Sequence, residues 1–119
     1  MYAHLDALHA ELRTYALDLP AAEEHFPWDE PVIKVKGKIF VFLGRPGGEA
    51  LTMSVKLPTS AAAALTLPEA RPTGYGLGKA GWVSFTFPAD RLPTRDTARA
   101  WILESWRAVA PRRLGKSLE

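Results

Sequence analysis

The sequence contains no cysteine, asparagine or glutamine. The first absence excludes disulfides, thiolate metal sites and cysteine nucleophiles, and the other two remove the side chains that usually read adenine through paired hydrogen bonds. There is also no apolar run of about 18 residues, the length that a membrane-spanning helix needs. The first twenty residues place acids and histidines within a helical pattern, unlike a secretory signal. We therefore expect a cytoplasmic protein with no membrane partner.

What is present is the composition of a globular protein, with 47% hydrophobic and 24% charged residues over 119 positions. This length is too short for two cores, so we expect one domain over residues 1–119. We also expect a monomer. The charge is unevenly distributed, because residues 1–31 contain seven acids and one base, whereas residues 32–119 contain fourteen bases and six acids. This asymmetry predicts either a basic binding surface or ion pairs between the two parts, and the sequence leaves both open.

The spacing of apolar residues predicts helices at both ends of the chain. A stripe at intervals of three and four indicates a helix from about Tyr2 to Leu19, which Pro20 ends. A second helix is expected after Pro93, with Thr94 as its N-cap and Pro111 beyond its end. Its buried stripe is predicted to be Ala98, Trp101, Ile102, Ser105 and Val109. The residues after it are expected to form a short basic tail.

Alternating residues between these helices predict strands at about residues 26–28, 33–36, 38–43, 51–57 and 82–87. Gly37 is expected in a hairpin turn, Thr59 as the cap of a short helix near residues 60–67, and residues 68–81 as a loop. This order predicts an α+β fold, in which an antiparallel sheet carries helices on one face. The opposite face is predicted to collect Lys34, Lys36, Thr52, Ser54, Lys56, Trp82, Ser84 and Thr86.

The stretch GYGLGKAGW, residues 74–82, matches G-x-G-x-x-G from Gly76 to Gly81. The dinucleotide-binding motif requires a strand before it and, after it, a helix whose N-terminus holds the pyrophosphate. Here a proline-containing loop precedes the match and a strand follows it, so we expect no nucleotide cofactor. Glycine still allows the backbone to approach a phosphate, and Lys79 adds a cation.

Neither metal binding nor catalysis has a local signature in this chain. The three histidines and the acids of residues 23–30 do not supply a third ligand at a reliable spacing, so no metal site is assigned. There is no G-x-S-x-G motif and no serine close to a histidine in the sequence, so no catalytic residue is assigned. We expect a protein without cofactors that is not an enzyme, although distant residues that converge in the fold would leave catalysis open.

The basic sheet face suits a nucleic acid or another polyanion. Lys34, Lys36, Lys56 and Lys79 are the candidate phosphate contacts, Trp82 is the candidate for stacking on a base, and Lys38 and Arg45 would extend the positive field. Without asparagine and glutamine, we predict weak sequence preference. One alternative is that the lysines only prevent aggregation at strand edges while the glycine loop covers Trp82. Another is a small-ligand or protein-interaction module that uses the cleft beneath that loop.

The order of motifs resembles the MmcQ/YjbR family, a group of small bacterial proteins. The similar segments are ALDLPAAEEHFPWDEPVIKVKGKIFVFL, LTMSVKLP, RPTGYGLGKAGWVSFTF and the terminal amphipathic helix, which together cover nearly the whole chain. The resemblance implies a CyaY-like α+β fold with a curved antiparallel sheet and helices on one side. The family is commonly labelled DNA-binding, so the resemblance also implies DNA as a partner.

The family's typical loop resembles P-G-Y-x-x-N-K-x-H-W. This chain matches it at Gly74, Tyr75, Lys79 and Trp82. It departs from the pattern at Thr73 in place of the proline, Gly78 in place of the asparagine and Gly81 in place of the histidine. If that asparagine and histidine contact a ligand in the family, this chain is expected to bind differently.

Overall fold

A computed structural model describes residues 3–26, 30–45, 47–74 and 76–115. Over these residues, four α-helices and six strands follow one another in the order α1 (Ala3–Leu17), β1 (Ala22–His25), β2 (Val32–Val35), β3 (Lys38–Leu43), β4 (Ala50–Lys56), α2 (Ala61–Ala64), β5 (Ala70–Pro72), β6 (Trp82–Pro88), α3 (Arg95–Val109) and α4 (Arg112–Gly115). No helix within the described ranges is long and apolar enough to cross a bilayer.

The six strands form one antiparallel sheet in the order β1-β2-β3-β4-β6-β5. Strands β1 to β4 are consecutive neighbours, as expected for hairpin-linked strands. Strand β6 then pairs with β4, and β5 lies outside it as an edge strand. The sheet stays open, with short strands of four and three residues at its edges. The α+β architecture predicted from the sequence is confirmed.

Helices α1 and α3 pack on the same face of the sheet, and the core lies between them and the strands. The alternation predicted for the central strands is confirmed, since Leu51, Met53, Val55 and Leu57 are all buried. On β6, Val83, Phe85 and Phe87 are buried as well. The Phe85 ring stacks on the Trp101 ring of α3, with centroids 4.3 Å apart. This aromatic contact holds α3 against β6, the strand next to edge strand β5.

A β-bulge lies between β2 and β3. Ile33 pairs with Val41, whereas the next residue, Lys34, pairs with Ile39, so Phe40 has no partner on β2. Phe40 and its neighbour Val41 are both fully buried in the core. The bulge therefore directs two consecutive side chains of β3 toward the helices while Lys34 stays on the opposite face.

Several boundaries differ from those predicted by the sequence. The first strand, Ala22–His25, was not predicted, and it precedes the expected residues 26–28. Phe26 lies outside this strand, and residues 27 and 28 lie outside the described residues. An edge strand is half exposed, so it tolerates the polar sequence AEEH. Strand β5 forms inside the expected loop, where Pro72 is acceptable because the strand lies at an edge. The expected basic tail begins as α4.

Candidate functional site

We use the term outer face for the side of the sheet opposite α1 and α3. The pairing of β4 with β6 sets three pairs of side chains next to each other on this face. They are Thr52 with Thr86, Ser54 with Ser84, and Lys56 with Trp82. The antiparallel register places each pair directly opposite across the two strands. The polar face inferred from alternation therefore exists at the centre of the sheet.

The lysines of this region gather at one end of the sheet. Lys38, Lys56 and Trp82 line a shallow cavity of about 220 Å³ together with the last turn of α3. Lys36 lies in the turn between β2 and β3, where its φ is +49°, and Lys79 precedes Trp82 by three residues in a 3-10 turn. We call Lys36, Lys38, Lys56 and Lys79 the basic end. The exposed Arg112 and Arg113 of α4 follow α3 close to the same place.

The described acids of residues 23–30, which are Glu23, Glu24 and Glu30, do not neutralise the basic end. Within the described part of the chain, no carboxylate lies within 4.0 Å of any of its four lysines. Glu24 faces α1 instead, where its carboxylate accepts hydrogen bonds from Arg13 Nε at 2.7 Å and Nη2 at 2.5 Å. That hydrogen bond raises the pKa of Arg13. Asp29 lies outside the described residues.

Two of the predicted cations do not join the basic end. Lys34 lies further along β2, directly opposite Glu23 of β1. The Glu23 carboxylate is 3.6 Å from His25 Nε2, so the acid has a partner on its own strand. Arg45 follows the far end of β3 and is exposed there. Strand register and strand direction decide these positions, which alternation alone did not specify.

Trp82 is a packing residue in this structure. Its side chain is only 8% exposed, and its ring meets the Phe42 ring edge-on with centroids 5.7 Å apart. Its main chain also holds the glycine loop, because its carbonyl accepts the N–H of Thr73 at 3.1 Å. Little of the indole is open to a base, which favours a packing role for this tryptophan over base stacking.

The glycine-rich stretch forms a 3-10 turn, Leu77–Ala80, between β5 and β6. Gly76 and Gly81 flank the turn with φ of +79° and +94°, in the left-handed region that favours glycine. A Cβ on Gly78 would lie 2.8 Å from the Cβ of Pro72, so this glycine permits a close approach. The glycines of the G-x-G-x-x-G match therefore serve to form a tight loop. A strand rather than an α-helix follows this loop, so the helix N-terminus that a dinucleotide site requires is missing.

A second concave region lies on the outer face, beside the basic end. Its volume is about 320 Å³, and its lining includes Arg71, Phe42 and Glu30. None of these three was singled out from the sequence. Arg71 was expected in a loop, Phe42 in a strand, and Glu30 among the acids of residues 23–30 that provide no metal site. Two features of the sequence pointed to such a site. The polar alternation of β4 and β6 supplies its floor, and the cleft expected beneath the glycine loop corresponds to the part lined by Thr73 and Leu77.

The histidines do not assemble into a metal centre. No group of three histidine or carboxylate side chains that could hold a metal is found among the described residues. His9 is buried in α1, and its Nε2 donates a hydrogen bond to the carbonyl oxygen of Gly44 at 2.6 Å. This contact gives His9 a structural role, tying α1 to the end of β3.

A search of curated protein sequences gives no match. A family model matches residues 17–108, from the end of α1 through most of α3. That model describes the YjbR family, and because it spans most of the chain, this protein belongs to the YjbR family.

Proposed function

We propose that this protein binds the phosphate backbone of duplex DNA through its basic end. The observation that carries the proposal is the grouping of Lys36, Lys38, Lys56 and Lys79 with no described carboxylate within 4.0 Å. Free ammonium groups on neighbouring elements gain affinity by releasing counterions from DNA. Membership of the YjbR family also supports the proposal, because that family is commonly labelled DNA-binding.

The proposed contact is to the backbone rather than to base edges. Lysine acts as a point charge toward phosphate and carries no sequence information there. The chain has neither asparagine nor glutamine for adenine, and Trp82 is too buried to stack on a base while it packs on Phe42. The proposed binding therefore depends on charge and shape, with weak sequence preference.

Fluorescence polarisation with labelled duplexes of different sequence tests this proposal. With four phosphate contacts, the plot of log affinity against log salt should have a slope of about −3 to −4. The affinity should then fall about a hundredfold between 50 and 200 mM salt. Replacing Lys36, Lys38, Lys56 or Lys79 with alanine should each reduce the slope by about one.

The matched control is Arg95→Ala. Arg95 lies at the other end of α3, where it pairs with Glu11 at 3.4 Å, so this variant removes one positive charge far from the basic end. The control should keep the slope of the parent protein. Equal losses in the control and the lysine variants, or an affinity that does not depend on salt, would overturn the proposal. Strong preference for one A·T-rich duplex would overturn backbone recognition.

We further propose that the protein acts in the bacterial cytoplasm as a monomer, without a cofactor and without a catalytic step. The basic end suits one DNA contact per molecule. Analytical ultracentrifugation of the free protein tests whether it is a monomer. A dimer that places two basic ends on one duplex would instead double the slope of log affinity against log salt.

A further inference from the structure

The outer-face pocket of about 320 Å³ is separate from the basic end. Phe42 lies between the two, because it lines the pocket while its ring contacts Trp82. The volume is within the range of small-molecule sites, which are typically about 300–1,000 Å³. Its walls combine apolar side chains, including Phe42 and Leu77, with hydroxyls and two opposite charges.

The floor is a chain of three hydroxyl groups. Ser84 Oγ lies 2.7 Å from Ser54 Oγ and 2.9 Å from Thr73 Oγ1. Each hydroxyl has one hydrogen to donate and can also accept. Two contacts use two of the three hydrogens, so one hydrogen is left to donate, on an outer hydroxyl or on Ser84 when Ser84 accepts from both neighbours. A carbonyl group above this floor could accept that hydrogen bond.

The two charged groups lie on opposite sides of the floor. Arg71 belongs to edge strand β5, and its Nη1 donates to Thr86 Oγ1 at 3.1 Å. No described carboxylate lies within 4.0 Å of it, so most of its five N–H donors are available. Glu30 is exposed and lines the pocket from the segment that leads into β2. A ligand in this pocket meets a cation on one side and an anion on the other.

The sheet order gives the spacing between β5, which carries Arg71, and β2, which Glu30 closely precedes. Strands β2 and β5 are four positions apart, which corresponds to about 19 Å between their backbones at 4.7–4.9 Å per strand. An α-amino acid carries its ammonium and carboxylate on one carbon and is too short to meet both groups. An extended tripeptide spans about 10 Å, leaving the Arg71 and Glu30 side chains to reach inward.

We propose that this pocket binds short peptides with free termini, with the C-terminal carboxylate on Arg71 and the N-terminal ammonium on Glu30. The hydroxyl floor then donates to a peptide carbonyl, and Phe42 and Leu77 contact the peptide side chains. The proposal rests on the pocket alone and is independent of DNA binding at the basic end.

Titration of ¹⁵N-labelled protein with trialanine, followed by NMR, tests this proposal. Saturable shifts are expected for the amides of Ser54, Thr73 and Ser84. N-acetyl-trialanine and trialanine amide should each bind about two- to fivefold more weakly, because each loses one exposed charge pair. Free alanine should bind more weakly than all three peptides.

Two variants assign the termini. In Arg71→Ala, trialanine amide should bind as tightly as trialanine, whereas N-acetyl-trialanine should still bind more weakly. In Glu30→Gln, N-acetyl-trialanine should bind as tightly as trialanine, whereas trialanine amide should still bind more weakly. Lys56→Ala is the matched control, since it weakens the basic end and should leave trialanine binding unchanged. The proposal is overturned if trialanine gives no saturable shifts, if both blocked peptides bind as tightly as the free peptide, or if either variant responds equally to both blocks.

Discussion

The hydroxyl of Ser105 donates a hydrogen bond to the carbonyl oxygen of Phe40 at 2.5 Å. Phe40 is the extra residue of the β-bulge and lacks a partner on β2. Ser105 also accepts the backbone N–H of Lys56 at 2.8 Å, at the end of β4. One fully buried serine of α3 thus satisfies polar groups on two strands, and it positions the lysine-bearing end of the sheet against the helix.

Replacing Ser105 with alanine should lower the free energy of unfolding by about 1–3 kcal/mol, because a buried carbonyl and a backbone N–H lose their partner. Urea denaturation measures this change. Thr66→Ala serves as the control, since the exposed Thr66 hydroxyl bonds only the carbonyl of Ala63. That variant should stay within about 0.5 kcal/mol of the parent protein. An equal loss in both variants would contradict the role given to Ser105.

The N-cap of α3 offers a second prediction. Thr94 Oγ1 accepts the N–H of Thr97 at 3.2 Å, in the position that the sequence indicated. Thr94→Ala should lower the free energy of unfolding by about 1 kcal/mol. Thr94→Asp should retain the cap, and its negative charge should interact favourably with the positive end of the helix dipole. Thermal unfolding of the three proteins measures both effects. A Thr94→Asp protein as unstable as Thr94→Ala would show that the cap is not responsible.

The glycine loop offers a pair of matched substitutions. A Cβ on Gly78 would lie 2.8 Å from Pro72 Cβ and 3.2 Å from the Thr73 carbonyl, whereas a Cβ on Gly74 would meet nothing within 4 Å. Gly78→Ala should therefore destabilise the protein by about 1–3 kcal/mol. Gly74→Ala should be neutral or stabilising by about 0.4–1 kcal/mol, because it restricts the unfolded chain. Equal unfolding free energies for the two variants would contradict this packing.

Substitutions of Trp82 separate packing from base stacking. Trp82→Ala should lower stability by about 3–5 kcal/mol, as expected when a buried indole is removed. Trp82→Phe keeps an aromatic contact with Phe42 and should leave DNA affinity unchanged. Stacking on a base would instead cost about 1–3 kcal/mol of binding in the alanine variant, and part of that in the phenylalanine variant. Parallel unfolding and polarisation measurements decide between these outcomes.

The central strands and the long helices were predictable because their side chains repeat with a regular period. Leu51, Met53, Val55 and Leu57 face the core at every second position, and Thr94 and Pro111 bound α3. The edge strands were harder to predict. Strand β1 has the polar sequence AEEH, and β5 has three residues including Pro72, so neither shows an apolar period.

The candidate site was predictable only in part. Alternation along β4 and β6 correctly placed Lys56, Trp82, Ser54 and Ser84 on one face. It did not indicate that Trp82 would be nearly covered, because that depends on Phe42 from another strand. The pocket residues Arg71 and Glu30 come from segments far apart in the chain, and no local pattern connects them.

The sequence by itself determined the chemistry available to this protein: no thiol, no side-chain amide, an excess of bases after residue 31, and an amphipathic sheet with helices on one side. These properties follow from composition and from short-range periodicity. Tertiary structure decided which charges stand together. Strand order and register paired Glu24 with Arg13 on the helix side and placed Lys34 opposite Glu23, away from the basic end. They also left the lysines of the basic end with no described carboxylate within 4.0 Å. Such neighbours are set by contacts between distant segments, which short-range patterns do not encode.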